Sequence, residues 1–144
     1  MKVRELMQSP VICVSPGQTV ESAAKVLQHY NIGAMPVCNH QGMLCGMLTD
    51  RDLVVRCLAR GKLPASTSVR EIMTRQVISV DPEMDAWVAA HLMGRKRVRR
   101  LPVVEGGEVK GILSLDDLAA NEQNAYDAAD ALGEISAYFQ ENRC

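Results

Sequence analysis

Much of this chain is written twice. Val3-Arg4-Glu5-Leu6-Met7 returns as Val69-Arg70-Glu71-Ile72-Met73, and Val11-Ile12-Cys13-Val14-Ser15-Pro16 returns as Val77-Ile78-Ser79-Val80-Asp81-Pro82. Met35-Pro36-Val37 returns as Leu101-Pro102-Val103 at the same offset of 66 positions. The offset shortens by one at Gly46 and Gly111, where Gly-Met-Leu-Thr-Asp-Arg-Asp-Leu matches Gly-Ile-Leu-Ser-Leu-Asp-Asp-Leu. A long period present only twice does not stack into a solenoid. It predicts two similar halves that face each other across a pseudo-two-fold axis, with function at the seam.

Each half reads strand, helix, strand, strand, helix, an α/β (α+β) arrangement. In the first half Val11 to Val14 is a short β-rich run closed by Ser15-Pro16-Gly17. Thr19 caps a helix whose apolar residues Val20, Ala23, Ala24 and Leu27 recur at helical spacing, and Asn31-Ile32-Gly33 stops it. Met35 to Cys38 is a strand with Pro near its start, Asn39 to Gly42 a hairpin turn, and Met43 to Leu48 the returning strand. Thr49 opens a second helix to about Ala59, ended by Gly61 and Pro64.

The second half repeats the order. Asp85 caps a helix with Ala86, Ala89, Ala90 and Met93 on one face, Glu105-Gly106-Gly107-Glu108 is the hairpin turn, and Ser114 opens the last helix. The repeats span 1–65 and 66–122. Residues 123–144, Ala- and Asp-rich with Tyr126, Leu132, Ile135, Tyr138 and Phe139, are expected to form a helix on the body or on a partner subunit.

Composition narrows the function classes. A content of 47% hydrophobic and 23% charged residues is that of a globular protein. A net charge of −1 gives no long-range attraction to nucleic acid or to anionic membrane, and 3% aromatics makes a poor base-stacking platform. With no signal-type apolar run at the N-terminus and no membrane-length stretch, a cytoplasmic location is expected. The five cysteines, Cys13, Cys38, Cys45, Cys57 and Cys144, are odd in number and lack Cys-x-x-Cys spacing, so reduced thiols are the expectation. Cys13 and Cys38 fall in successive predicted strands and could lie close together.

Two features can carry chemistry. One is a hydroxyl followed three residues later by a carboxylate in both halves: Thr49-Asp50-Arg51-Asp52 and Ser114-Leu115-Asp116-Asp117. This pattern suits a capping box at a helix start. It also suits a ligand site, where free helix amides meet a phosphate and the acid meets a sugar diol. The other is the basic run Arg95-Lys96-Arg97-Val98-Arg99-Arg100, whose counterpart in the first half carries no Arg or Lys. Cations are favoured at a helix C-terminus in any case, and phosphate recognition is a second reason for forked guanidinium donors. His29, His40 and His91 are dispersed, no metal-ligand spacing is present, and no nucleophile elbow or P-loop occurs. Neither a catalytic set nor a metal site is expected.

With these residues assembled, the chain resembles the cystathionine-β-synthase (CBS) domain family, whose tandem pairs are called Bateman modules. The carriers are Met35-Pro36-Val37 and Leu101-Pro102-Val103, the Gly-x-Leu-Thr/Ser-x-x-Asp ends, and the β-α-β-β-α order in both copies. Ile32 to Val37 and Met47 to Leu53 resemble stand-alone bacterial CBS-pair proteins of the hypoxic-response type. The resemblance implies a non-enzymatic regulatory sensor that binds AMP, ADP, ATP or S-adenosylmethionine in the cleft between the repeats. It implies that Asp52 and Asp117 accept from ribose hydroxyls, with Thr49 and Ser114 near ribose and phosphate, and with Arg51 and Asp116 in the same turns. Val11, Ile12, Met35 and Pro36 would enclose one adenine, and Val77, Ile78, Leu101 and Pro102 the other. Arg99 and Arg100 are the phosphate candidates; Gly33 and Ala34 stand in their place in the first half, which leaves the number of occupied sites open. No cofactor is implied beyond the regulatory nucleotide. The expected partners are a second copy in a homodimer and an effector protein of unknown identity. Two other readings remain open: a ligand-free interaction module, and a redox-responsive protein acting through Cys13 and Cys38.

Overall fold

The computed structural model describes residues 1–142, so Cys144 lies outside the described residues. The elements run in the order α1 (Val3–Leu6), α2 (Val20–Tyr30), β1 (Ala34–Cys38), β2 (Leu44–Thr49), α3 (Asp50–Asp52) and α4 (Val69–Ile72). There follow α5 (Ala86–Lys96), β3 (Arg100–Glu105), β4 (Glu108–Ser114), α6 (Leu115–Ala119) and α7 (Ala125–Glu141). After α3 the helical path continues to Arg60, first as a π-helical stretch (Leu53–Cys57) and then as a 3₁₀ turn (Leu58–Arg60).

The described chain forms two compact units, and they divide it differently from the repeats. The first unit holds Val11–Val77 with Gly107–Val109; the second holds 1–10, 78–106 and 110–142. Each unit thus takes in the short helix that precedes the other repeat in sequence. The reason lies at the open edge of each hairpin. In the first unit Met47 of β2 exchanges backbone hydrogen bonds with Thr74, at 3.0 and 2.9 Å. In the second, Ile112 of β4 does the same with Gln8, at 3.1 and 2.9 Å. An edge strand buried without such pairing would leave N–H and C=O groups unsatisfied.

These contacts explain two glycines. A Cβ on Gly46 would lie 2.6 Å from the Thr74 carbonyl oxygen, and one on Gly111 would lie 2.6 Å from the Met7 sulfur and 3.0 Å from the Gln8 carbonyl oxygen. Only a residue without a side chain lets the crossing segment come so close.

The predicted strand Val11 to Val14 is shorter than its sequence suggests. Val14 alone pairs, parallel to Val37, through Val14 N–H to Pro36 O at 3.2 Å and Cys38 N–H to Val14 O at 2.8 Å. The next rungs would require N–H groups from Pro36 and Pro16, and proline has none. Val80 repeats the single bridge to Val103, confined by Pro102 and Pro82 in the same way.

Each unit has its own core. In the first, Val20, Ala23 and Leu27 of α2 pack with Met35, Val37, Leu48, Cys57, Val69 and Ile72. In the second, Ala86, Ala89, Ala90 and Met93 of α5 pack with Leu101, Val103, Leu113, Leu118 and, from α7, Ala128, Ala131 and Ile135. Ala24, placed on the apolar face of α2 by periodicity, is exposed, whereas its counterpart Ala90 is buried. The difference comes from α7, which lies on α5 and α6 of the second unit. The tail is therefore helical over Ala125–Glu141 and rests on the body, although Tyr126 and Phe139 stay largely exposed.

Thr19 caps α2 as its position predicts, accepting from Ser22 N at 3.0 Å. Asp85 stands at the start of α5 but does not cap it with its side chain. Its carboxylate is 3.0 Å from Lys2 Nζ, and that ion pair holds the carboxyl below its ordinary pKa. The unpredicted helices α1 and α4 are closed instead by Glu5 and Glu71, which accept from Lys2 N at 2.6 Å and Ser68 N at 2.7 Å.

Candidate functional site

The two hydroxyl–carboxylate turns form the same local structure. At the end of β2, Thr49 Oγ1 accepts from Asp52 N at 3.2 Å while Asp52 Oδ2 accepts from Thr49 N at 2.9 Å. At the end of β4, Ser114 Oγ accepts from Asp117 N at 3.0 Å while Asp117 Oδ2 accepts from Ser114 N at 2.8 Å. Both are reciprocal capping boxes. One carboxylate oxygen of each acid is thereby held by backbone, which fixes where the other oxygen stands.

The second oxygens differ. Asp52 Oδ1 lies 3.6 Å from Arg56 Nε, and Arg56 in turn donates to Ile72 O at 3.1 Å and Thr74 Oγ1 at 3.3 Å. Asp117 Oδ1 accepts from Gln8 Nε2 at 2.9 Å, on the exposed side of its unit. Neither Gln8 nor Arg56 was among the expected site residues. Gln8 was within reach of sequence reasoning, since the offset of 66 makes it the counterpart of Thr74 in the repeated Val-Arg-Glu-Leu/Ile-Met segment.

Most of the helix-start amides are already bonded. In α3 the Asp50 N–H goes to Gly33 O at 2.9 Å, the Arg51 N–H to Asp50 Oδ1 at 2.8 Å, and the Asp52 N–H to Thr49. In α6 the Leu115 N–H goes to Arg99 O at 2.8 Å and the Asp117 N–H to Ser114. Of the helix-start amides expected to meet a phosphate, only that of Asp116 has no bond among the described residues. With such short helices, the caps and the preceding strand consume nearly every donor.

The expected apolar walls divide into two kinds. Met35 and Leu101 are fully buried in their cores and Pro36 and Pro102 are also buried, so these four present little free side-chain surface. Val11, Ile12, Val77 and Ile78 are half-buried. The Arg51 and Asp116 side chains are exposed.

The two arginines have different surroundings. Leu101 faces the core of the second unit, and Arg99 lies in the bend just before β3. It lines a cavity together with Ser136, Phe139 and Gln140 of α7. Arg100, exposed at the start of β3, shares the opposite face with Pro102.

In the first unit Cys13, Cys38 and Cys45 come together. Cys45 sits in the β-bulge where Val37 pairs with Gly46 but Cys38 pairs with Leu44. Burial, reinforced by neighbouring Cys13 and Cys45, pushes the Cys38 thiol up to about 12. All four cysteines of the described residues are free. Among the described residues no group of three His, Cys, Asp or Glu side chains could hold a metal ion. No helix of the described residues is long and apolar enough to cross a membrane.

Two hairpin units of mixed helix and strand, each ending in a capped hydroxyl–carboxylate turn, define a tandem-repeat module. The profile of the CBS domain matches residues 3–58 and 69–123. The chain belongs to the CBS-domain family and carries a tandem pair of such domains. It is 41% identical over 134 residues to the CBS domain-containing protein YhcV of Bacillus subtilis, covering 93% of this chain and 94% of that one. It is 34% identical over 116 residues to hypoxic response protein 1 of Mycobacterium tuberculosis, covering 81% of each. The crystal structure of hypoxic response protein I with two coordinated zinc ions superimposes with a TM-score of 0.78 at 32% identity, over 84% of this chain and 98% of that one. The CBS domain pair of MJ0100, solved in complex with 5′-methylthioadenosine and S-adenosyl-L-methionine, gives 0.75 at 28% identity, over 83% and 94%. CBS pairs are in general regulatory rather than catalytic.

Proposed function

We propose that this protein is a regulatory sensor of an adenosine-containing ligand, with the ribose hydroxyls accepted by Asp117 and, where a second site is filled, by Asp52. The observation that carries this reading is the geometry of Asp117. Its Oδ2 is locked by the Ser114 amide, and its Oδ1 is held only by the side-chain amide of exposed Gln8. A ribose diol can replace that single donor and add a second, at the cost of one exposed hydrogen bond from Gln8 to the carboxylate. Ile78, half-buried beside this turn's unit, supplies apolar surface for a base, and Arg100 supplies a cation on the Pro102 face. The complex of MJ0100 with adenosyl ligands supports the class of ligand.

The two units are unequal in this reading. Asp52 is tied to a cation, Arg56, and Ala34 stands where the second repeat has Arg100. Asp117 is therefore the stronger site. A homodimer and a separate effector protein complete the proposal.

A second reading has its own observation. Val54, Val55 and Leu58 lie exposed along the helical stretch after α3, and Leu63 is exposed just beyond it. Such a run favours association with another protein surface. Thermal unfolding against AMP, ADP, ATP, S-adenosylmethionine and 5′-methylthioadenosine separates the two. A ligand at about 100 times its Kd adds ~2.7 kcal/mol to the folded state and raises Tm by several degrees. A shift with one of them, lost in Asp117→Asn, supports the sensor; no shift with any leaves the association module.

A further inference from the structure

We propose that the cavity between Arg99 and the end of α7 is a second anion site, built for a small molecule that joins a phosphate or carboxylate to a flat ring. The cavity measures about 300 Å³ and is lined by Arg99, Ser136, Phe139 and Gln140. This is at the small end of what ligand pockets occupy. Among the described residues three of the four that line it carry hydrogen-bond donors: a guanidinium, a hydroxyl and a carboxamide. Among the described residues none of these three side chains has a hydrogen bond or an ion pair, and no carboxylate lines the cavity. A fork-shaped cation with two neutral donors beside it matches an oxyanion. The fourth wall, Phe139, is 58% exposed and offers a ring face to a planar group.

The local structure holds this wall in place. Arg97 takes the left-handed conformation that ends α5 and lies 3.8 Å above the Tyr138 ring, pinning the last turns of α7. Ile135, buried in the core, anchors the preceding turn. Arg99 lies in the bend just before β3, and the other lining residues all belong to α7, so the site is made with α7 rather than with the side chains of the Asp117 turn. It also lies mostly on α7, beyond the matched CBS segments. The anion it binds is thus a second input, read by the appended helix.

The test is a titration of the full chain with phenyl phosphate, followed by ¹⁵N–¹H correlation spectra. The expected result is saturable shifts centred on residues 97–100 and 135–141. Affinity should fall about tenfold in Arg99→Gln and by a smaller factor in Ser136→Ala and Gln140→Ala, and stay unchanged in Asp117→Asn. Arg99 and Gln140 are both exposed, so these variants should keep the wild-type melting temperature. Inorganic phosphate should bind more weakly, because it leaves Phe139 unused; equal binding would overturn the ring half of the proposal. Non-saturating shifts, or affinity unchanged in Arg99→Gln, would overturn the site. Affinity lost only in Asp117→Asn would overturn it as well, by moving the anion to the other turn.

Discussion

Gln8 donates from Nε2 to Asp117 Oδ1 across 2.9 Å, joining the leading segment of one repeat to the last turn of the other. The bond occupies the same carboxylate oxygen that a ribose would need. Removing the acceptor and removing the donor should therefore act in opposite senses. Asp117→Ala is expected to cost roughly 1.5–3 kcal/mol of ligand binding, the worth of hydrogen bonds to a charged group. It should also cost about 1 kcal/mol of stability through the lost capping box. Gln8→Ala should leave affinity equal or improved. Calorimetric titration checks both, and unchanged affinity in both Asp52→Ala and Asp117→Ala would sink the ribose assignment.

Gly46 and Gly111 should not tolerate alanine. Each added Cβ would meet a crossing segment at 2.6 Å, with backbone atoms among its neighbours. A loss of about 1–3 kcal/mol is expected for either substitution, as for other overpacked sites. Denaturant midpoints of the two variants are the measurement. Equal midpoints with wild type would mean that the edge pairing yields easily.

The Cys38 thiol gives a pH dependence. Its pKa in the fold, about 12, lies above its ordinary value of 9.0, chiefly through burial. The neutral thiol is thus the form the fold prefers, and its contribution is full below about pH 9 and declines as pH rises toward 12. Wild-type Tm should therefore drop more steeply over that window than Tm of Cys38→Ala. At neutral pH a disulfide reagent should modify exposed Cys13 well before Cys38. Equal melting temperatures with and without reductant would count against a redox role.

The tail helix should contribute through its buried face only. Ile135→Ala removes a side chain that is 1% exposed and should cost about 2–5 kcal/mol. Phe139→Ala, at the open end of the cavity, should stay within about 0.5 kcal/mol. Thermal or denaturant unfolding distinguishes them.

Much of this architecture was legible in the residues. Helical spacing located α2 and the start of α5, because an apolar stripe, a cap position and a stop signal such as Asn31 are local facts. The turn chemistry of Thr49–Asp52 and Ser114–Asp117 was readable for the same reason: a capping box closes over four residues. Ala24 and Ala90 show where such reading ends. They are equivalent by sequence, yet one is exposed and the other buried, because only α5 is covered by α7.

By itself the sequence determined the duplication, the order of helices and hairpins within each copy, and the chemical character of the two carboxylate turns. These follow from periodicity and from hydrogen bonds that span a few residues. Only the tertiary structure decided that residues 69–74 close the edge of β2 and that Gln8 closes the edge of β4. Only it showed that most helix-start amides are spent, that Cys13 and Cys45 lie near Cys38, and that Arg99 lines a cavity with α7. Those outcomes depend on which distant backbone segment satisfies an open strand edge, and no local pattern of residues encodes that partner.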